Sequence, residues 1–172
     1  MDQIAKQERS RKRIEIILET AEKILLEDGI DQITIANISN RSGLKRTSTY
    51  KFFQTPEAIK SMLISNYLNM CALDFEEKTS NINTSEPSVV VMRSVEILFN
   101  FYSEHESAQK LLLSSSAILP VEKEPFHNLS NKIQSFVEMN ISLPDIFNKD
   151  GVFRVITQII LSIFALNTKE SG

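Results

Sequence analysis

Residues 34–53 constrain the fold most strongly, because they predict two short helices joined by a tight turn. Thr34 is a residue type that caps helix N-termini, and Ile38 falls where an inward-facing apolar residue is needed. Gly43 can adopt φ > 0, which ends the first helix in a turn. A second short helix is predicted over residues 45–52. This order of elements is that of a helix-turn-helix.

The charges of this segment are exclusively basic. Arg41, Lys45, Arg46 and Lys51 lie within it, and no Asp or Glu does. A Lys or Arg on a surface helix is most often only a solvated charge. Directly after a glycine turn, however, a short helix of small and cationic residues fits the major groove of DNA.

The segment and its surroundings resemble the DNA-binding domain of the Tet-repressor (TetR) family of bacterial transcriptional regulators. The resemblance extends over roughly residues 9–62. The matching features are a basic first helix ending at Gly29, Thr34 with Ile38, Ser39 and Ser42, Gly43-Leu44, Tyr50, Phe53 and Glu57. No single one of them is specific; their order and spacing are.

Three positions depart from the family pattern. Thr49 stands where the family usually carries an apolar residue, which predicts weaker packing of the second helix. Phe52 replaces a His or Tyr, and Pro56 replaces a Lys that usually touches a phosphate. Thr55-Pro56-Glu57 is nonetheless a favourable helix start, because Pro suits the first helical position and Glu suits the positive end of the helix dipole.

The resemblance implies an all-α protein in which a three-helix N-terminal domain, residues 1–54, is joined by a long helix to a C-terminal helical bundle, residues 55–172. Four glycines and five prolines in 172 residues agree with a helical chain. Residues 1–8 are predicted as a flexible arm. Apolar periodicity predicts helices at residues 9–28, 56–78, 107–119, 125–139 and 150–167, and a further helix that opens at Pro87 and carries its apolar face, Val91, Val95, Leu98, Phe99 and Tyr102, on one side.

In a helix-turn-helix, the N-terminal residues of the second helix face base edges and other polar residues bind phosphates. The predicted base-reading residues are Lys45, Arg46, Thr47 and Ser48. The predicted phosphate contacts are Tyr50, Lys51 and the helix start at Thr34.

The family resemblance also implies a small-molecule effector pocket in the C-terminal bundle. The residues predicted to line it are Met62, Asn66, Tyr67, Met70, Val95, Phe99 and Tyr102. Ordinary bundle core is the alternative interpretation, because apolar stripes at helical spacing are needed in any bundle. The polar residues of this set, Asn66, Tyr67 and Tyr102, favour a pocket.

The last predicted helix is apolar almost all round, which suits either a central core helix or a subunit interface. Because family members dimerise through their last two helices, the resemblance favours an interface. The residues predicted to form it are Phe136, Val152, Ile156, Ile159 and Ile163. The final helix resembles the family's penultimate one, so a reduced or rearranged dimer contact is expected.

Charge and composition narrow the function classes. Residues 1–60 contain 11 Lys and Arg against 9 Asp and Glu, whereas residues 61–172 contain 8 against 13. A basic head on an acidic body is expected where only the first part meets nucleic acid. His105 and His127 have no partner at metal-ligand spacing, and no pair of titratable groups suggests a reaction. No enzyme activity, metal or cofactor is therefore predicted.

The single cysteine, Cys71, excludes an intramolecular disulfide. No secretory signal is predicted, because the first residues are charged and no apolar stretch follows them. The longest apolar run, residues 155–166, is too short for a bilayer span of about 20 residues. A cytoplasmic location is expected.

Together these features predict a homodimeric repressor that binds a palindromic operator in double-stranded DNA and is released by a small molecule. The rival hypothesis is a related protein whose DNA-binding head is degenerate and whose body binds another protein. Thr49 and Pro56 favour the rival.

Overall fold

The computed structural model describes residues 2–115 and 123–170, with side chains over 4–112 and 123–165. The regular structure of these ranges is entirely helical, as predicted. The helices are α1 (Asp2–Asp28), α2 (Ile35–Ser42), α3 (Arg46–Tyr50), α4 (Pro56–Thr79), α5 (Pro87–Glu104), α6 (Glu106–Ser115), α7 (Lys123–Asn140) and α8 (Lys149–Glu170), with a 3-10 turn at Ile30–Gln32.

The chain forms two compact units, Met1–Leu63 and Ile64–Gly172. The division falls inside α4, so this helix contributes to both units. No helix in the described ranges is both long and apolar enough to cross a membrane. The predicted end of the sixth helix, residues 116–119, lies outside the described residues.

The first unit is built on α1, whose inner face is fully buried at Ile17, Ala21, Ile24 and Leu25. This helix begins at Asp2, so the prediction of a flexible arm over residues 1–8 is wrong from Asp2 onward. The basic residues at 9–13 therefore lie in the interior of α1. They lie outside its first turn, the position at which positive charge would oppose the helix dipole.

The helix-turn-helix forms as its sequence predicts. The Thr34 hydroxyl accepts the Asn37 N–H at 3.1 Å and caps α2. Gly43 ends α2 with φ +71°, in the left-handed region that favours glycine. Ile33 and Ile38, on either side of the cap, are both buried. The second helix is shorter than predicted, since α3 spans only Arg46–Tyr50.

Thr49 is completely buried in this motif. Its hydroxyl lies 3.4 Å from the hydroxyl of Ser39, which is also buried. A polar residue at this normally apolar position therefore has a hydrogen-bond partner on α2. The expected weakening of the packing is offset by this pair, because a buried hydroxyl is costly only when it is left without a partner.

The second unit has its core between α4, α5, α6, α7 and α8. Phe75 of α4 and Phe136 of α7 meet edge to face, with ring centroids 5.9 Å apart. Asn140 ends α7 with two hydrogen bonds: its Nδ2 donates to the Phe136 carbonyl at 2.8 Å, and its Oδ1 accepts the Thr84 N–H at 2.9 Å. The second bond ties the segment before α5 to the end of α7.

Two predicted helix faces are rotated in the structure. On α5, Val91, Val95 and Phe99 were predicted to face the core but are exposed. The buried side consists of Val90, Ser94, Ile97, Leu98, Phe101 and Tyr102. On α4 within the second unit, Asn66 and Met70 are exposed, and the buried side includes Leu68, Cys71, Ala72 and Phe75. Both helices are apolar on more than one side, so periodicity did not identify the buried side.

We expect the buried hydroxyls of Ser39 and Thr49 to stabilise each other. In Thr49→Val the Ser39 hydroxyl loses its partner, so the free energy of opening measured by hydrogen exchange of the α2 amides should fall by about 1 kcal/mol. Thr47→Val, on the exposed side of α3, is the matched control and should have little effect. The double variant Ser39→Ala/Thr49→Val should cost much less than the two single changes together. Additive costs would show that the hydroxyls do not interact.

We expect the thiol of Cys71 to be unreactive in the folded protein. Burial, together with the nearby Asp74 carboxylate, raises the pKa of the Cys71 thiol, and only the thiolate is nucleophilic. At pH 8, iodoacetamide should modify Cys71 only slowly in the native protein. In the denatured protein, it should modify Cys71 at the rate of a free thiol, and mass spectrometry follows both reactions. The control is Cys71→Ala/Leu73→Cys, since Leu73 is exposed on the same helix. Equal rates for both native proteins would contradict the prediction.

Candidate nucleic-acid interface

The short helix α3 is positioned from its inner side. Thr49 faces α2, Phe53 after the helix is buried, and the Leu44 N–H donates to the Ser42 hydroxyl at 3.2 Å. With these contacts inward, the remaining side chains of the helix turn outward. The residues predicted to read bases or bind phosphate therefore lie mostly on one exposed surface.

We call this the α3 surface. Its exposed members are Lys45, Arg46, Thr47, Tyr50 and Lys51, and Ser48 is half-buried beside them. Tyr50 is 53% exposed, which leaves its hydroxyl accessible. No carboxylate in the described residues forms an ion pair with Lys45, Arg46 or Lys51. The three cations are therefore available to an anionic ligand.

Arg41 is used differently from the cations on the α3 surface. Its guanidinium forms ion pairs with both Glu27 and Asp28, at the end of α1. These contacts fasten α2 to α1 and neutralise the charge of Arg41. The sequence shows Arg41 as one of four equivalent cations in the motif, but the structure assigns it to the scaffold.

Thr34 is half-buried at the start of α2, and its hydroxyl oxygen already accepts a hydrogen bond from the Asn37 N–H. Its backbone N–H donates to the Gln32 carbonyl at 2.9 Å. The hydroxyl proton remains as a donor, because a hydroxyl can donate one hydrogen bond while it accepts another. A phosphate contact at Thr34 would therefore use this proton.

A second group of cations lies on α1. Arg9, Arg11, Lys12 and Arg13 are all exposed, and none forms an ion pair within the described residues. A helix beginning at residue 9, as predicted, would have placed them in its first turns, where positive charge is unfavourable unless an anion such as a DNA phosphate lies nearby. They are an additional basic surface of the first unit.

The residues predicted to line an effector pocket are not gathered in one cavity. In the second unit, Tyr67 and Tyr102 border a cavity of about 20 Å³ with Ile64, Leu68, Ala108, Leu111 and Leu112, which is room for about one water molecule. Asn66, Met70, Val95 and Phe99 are exposed outside it. Met62 lies on the part of α4 that belongs to the first unit.

Burial raises the pKa of the Tyr102 hydroxyl further above neutrality, so Tyr102 stays uncharged at the edge of this cavity. Tyr67 contacts the His105 ring edge to face, with centroids 6.0 Å apart. The wall is thus mainly apolar, with phenol groups as its polar features.

A larger and more open groove lies between α4 and α7. It has a volume of about 660 Å³ and is lined by Asn69, Glu124, Pro125, His127, Asn128 and Asn131. None of these residues was singled out as a pocket residue from the sequence, because isolated Asn side chains carry no recognisable motif. No group of three or more His, Cys, Asp or Glu side chains suited to a metal occurs in the described part of the chain.

The residues predicted at a dimer interface fall into two environments. Val152, Ile156, Ile159 and Ile163 are exposed along one side of α8. Phe136 is only 1% exposed and packs against Phe75, so its place on α7 is in the core of the second unit. Phe136 must be removed from the predicted interface for this reason.

The sequence is similar to a curated regulator. It is 23% identical over 116 residues to the HTH-type transcriptional regulator EthR of Mycolicibacterium smegmatis, which covers 67% of this chain. The chain spans about half the length of that relative, since the match covers 53% of it. No protein-family model matches the sequence.

Solved structures share the fold over nearly the whole chain. A putative tetR family transcription regulator from Shewanella sp. PV-4 superposes with a TM-score of 0.56 at 13% identity, covering 91% of this chain and 87% of that one. A gamma-butyrolactone receptor (ArpA-like protein) superposes with a TM-score of 0.52 at 11% identity, covering 92% and 81%. Motif order, helical fold and sequence similarity all agree with the resemblance to the TetR family.

Proposed function

We propose that this protein is a DNA-binding transcriptional regulator, a homodimeric repressor that binds a palindromic operator. The α3 surface carries the proposal. It presents Lys45, Arg46 and Lys51 without carboxylate partners among the described residues, whereas Arg41 in the same motif is neutralised by the scaffold. Cations left exposed on the outer side of a helix-turn-helix suit a polyanion with a groove.

The proposed contacts follow from position along α3. Lys45, Arg46, Thr47 and Ser48, at its start, read base edges, because the N-terminal end of the second helix enters the major groove. Tyr50 and Lys51, at its end, and the Thr34 hydroxyl bind phosphates and fix the register. Pro56 begins α4 without a cationic side chain, so the phosphate contact usual in the family at this position is absent.

The dimer supports operator recognition through geometry. The exposed stripe on α8, comprising Val152, Ile156, Ile159 and Ile163, is the proposed contact between protomers. Two heads related by a two-fold axis would bind inverted half-sites about 34 Å apart, one turn of DNA. Repression is the proposed default, since a protein bound at an operator blocks transcription simply by occupying it.

We place the effector site of the second unit at the cavity beside Tyr67 and Tyr102. One similar solved structure is described as a gamma-butyrolactone receptor, which supports a small-molecule ligand as the class. Binding there would weaken operator binding through α4, which belongs to both units, and operator DNA would weaken effector binding by the same factor. A screen for compounds that release labelled operator, repeated with Tyr102→Phe, tests this assignment.

Selection of bound duplexes from a random DNA pool is the primary experiment. The purified protein should enrich an inverted repeat, and its affinity should fall as salt rises, with a slope of about −0.9 per phosphate contact. The curated relative is described as a transcriptional regulator, and nothing in the comparisons points to an enzyme. A lack of enrichment at low salt would instead favour the rival hypothesis, a partner protein as the ligand.

We expect Arg46 and Lys51 to differ in what they contribute. Arg46→Ala should cost about 1–3 kcal/mol and relax specificity at one base position, because it removes a base contact. Lys51→Ala should weaken binding to all DNA sequences alike, because it removes a phosphate contact. It should also reduce the slope of log affinity against log salt concentration by about 1. Fluorescence anisotropy with a panel of single-base operator variants at several salt concentrations separates the two effects.

Lys23→Ala provides the matched control, since Lys23 is exposed on α1 and its loss changes the net charge equally. It should leave base preference unchanged. If Arg46→Ala weakens binding no more than Lys23→Ala does, Arg46 does not read a base.

A further inference from the structure

The groove between α4 and α7, which we call the α4–α7 groove, is lined almost entirely by polar side chains. Its volume of about 660 Å³ falls within the range of small-molecule sites in proteins, about 300–1,000 Å³. Most such sites are mainly apolar. Here, apart from Pro125, the lining residues carry amide, carboxylate or imidazole groups: Asn69, Glu124, His127, Asn128 and Asn131.

On α7, the lining residues form one continuous polar face. Residues 124, 127, 128 and 131 are spaced by three, one and three, which places them on the same side of the helix. The buried side of α7 includes Leu129, Ile133 and Phe136 and faces elsewhere. A helix face directed at a neighbouring helix is normally apolar, because the two pack there. The polar face of α7 borders a groove instead.

On α4, Ser65, Asn69 and Glu76 lie along one side of the helix. Residues four and seven positions apart face the same way in an α-helix. The Glu76 carboxylate pairs with Lys132 of α7, so this side of α4 faces α7. The ion pair joins the two helices, and the groove lies within the turns that precede it on both of them.

The hydrogen-bonding groups of the groove are unused within the described part of the chain. The side-chain amides of Asn69, Asn128 and Asn131 form no hydrogen bond there. Ser65 is only 3% exposed, and its hydroxyl likewise has no partner among the described residues. A buried hydroxyl is nearly always paired, because leaving it without a partner is costly. A ligand in the groove would supply the missing partners.

The charges of the groove argue against an anion as its ligand. No Lys or Arg is among the lining residues, and Glu124 places a carboxylate on the wall. Lys132, which follows Asn131 on α7, is already paired with Glu76. One carboxylate without further acidic residues also gives a cation little hold. A neutral ligand suits these charges best.

Primary amides are well matched to a ligand that carries many hydroxyl groups. Each Asn side chain offers two N–H donors and one carbonyl acceptor, and each hydroxyl can both donate and accept. Neighbouring hydroxyls of a sugar ring can therefore bond the carbonyl and the amino group of one amide at the same time. Three amides, the His127 ring and the Ser65 hydroxyl together can hold several hydroxyl groups.

We infer that the α4–α7 groove binds a neutral, hydroxyl-rich small molecule of the class of mono- and disaccharides. The three asparagine amides hold its hydroxyl groups, and Ser65 pairs with the one that reaches deepest. Within the described chain, no residue lines both this groove and the cavity beside Tyr67 and Tyr102. The groove is therefore a second site with a different ligand chemistry, and it does not depend on the proposed DNA binding.

The two histidines of the chain report on the two sites separately. His127 lines the groove, whereas the ring of His105 contacts Tyr67 at the cavity. Proton NMR of the whole chain follows both rings while glucose, galactose, N-acetylglucosamine, sucrose and trehalose are titrated in turn, and His127→Gln assigns the signals. At least one sugar should shift the His127 signals to saturation and leave those of His105 in place.

Substitutions in the groove test the assigned contacts. Asn69→Ala and Asn128→Ala should each raise the dissociation constant of that sugar about fivefold, because each removes a hydrogen bond. Ser65→Ala should raise it by a similar factor and also raise the melting temperature of the free protein, because it removes an unpaired buried hydroxyl. Asn100→Ala removes an exposed amide from α5 and should change neither quantity. Circular dichroism verifies that each variant is folded.

The inference is overturned if no sugar shifts the His127 signals, or if the sugars shift only those of His105. It is also overturned if triglycine or glutamate shifts the His127 signals and no sugar does, because the groove would then select a peptide or an anion. Unchanged dissociation constants in both asparagine variants would place the sugar elsewhere. Operator binding is measured on the same preparations by fluorescence anisotropy, and its absence would refute the proposed function without affecting the sugar titration.

Discussion

The packing of α3 onto α2 is the constraint on which the candidate DNA-binding site depends. A helix of five residues has almost no stability of its own, since nucleation costs more than so few hydrogen bonds return. Its orientation is imposed by the left-handed turn at Gly43, by buried Thr49 and by Phe53 just beyond it. Which side chains face outward follows from these contacts rather than from any preference of the outward residues themselves.

The same packing gives the cations of the helix-turn-helix two different environments. Arg41 lies on α2 close enough to the end of α1 to be held by Glu27 and Asp28. The cations of α3 form no ion pair with these carboxylates. Exposed ion pairs contribute little to stability, so the larger consequence of the Arg41 contacts is electrostatic. They remove one positive charge from the scaffold and leave positive charge concentrated on the α3 surface.

Local signals made the helix-turn-helix readable from sequence. Thr34 and Gly43 act on backbone groups within a few residues, so their effects depend little on the rest of the fold. Thr49 was harder to interpret, because its hydrogen-bond partner is ten residues away on another helix and only packing brings the two hydroxyls together.

On α5, two apolar stripes run beside each other. Contacts with neighbouring helices determine which of them is buried, and the local sequence pattern does not describe those contacts. Phe136 was misplaced for the same reason, since an apolar residue on a helix fits a core and an interface equally well by composition.

The size of the cavity beside Tyr67 and Tyr102 has a thermodynamic consequence. A volume of about 20 Å³ admits about one water molecule, so any larger molecule that enters must first displace side chains in the wall. The open arrangement would then be a minor member of the conformational ensemble. The measured dissociation constant of such a ligand would be its intrinsic constant divided by the fraction of molecules that are open. A substitution that props the cavity open would therefore tighten binding without adding any contact to the ligand.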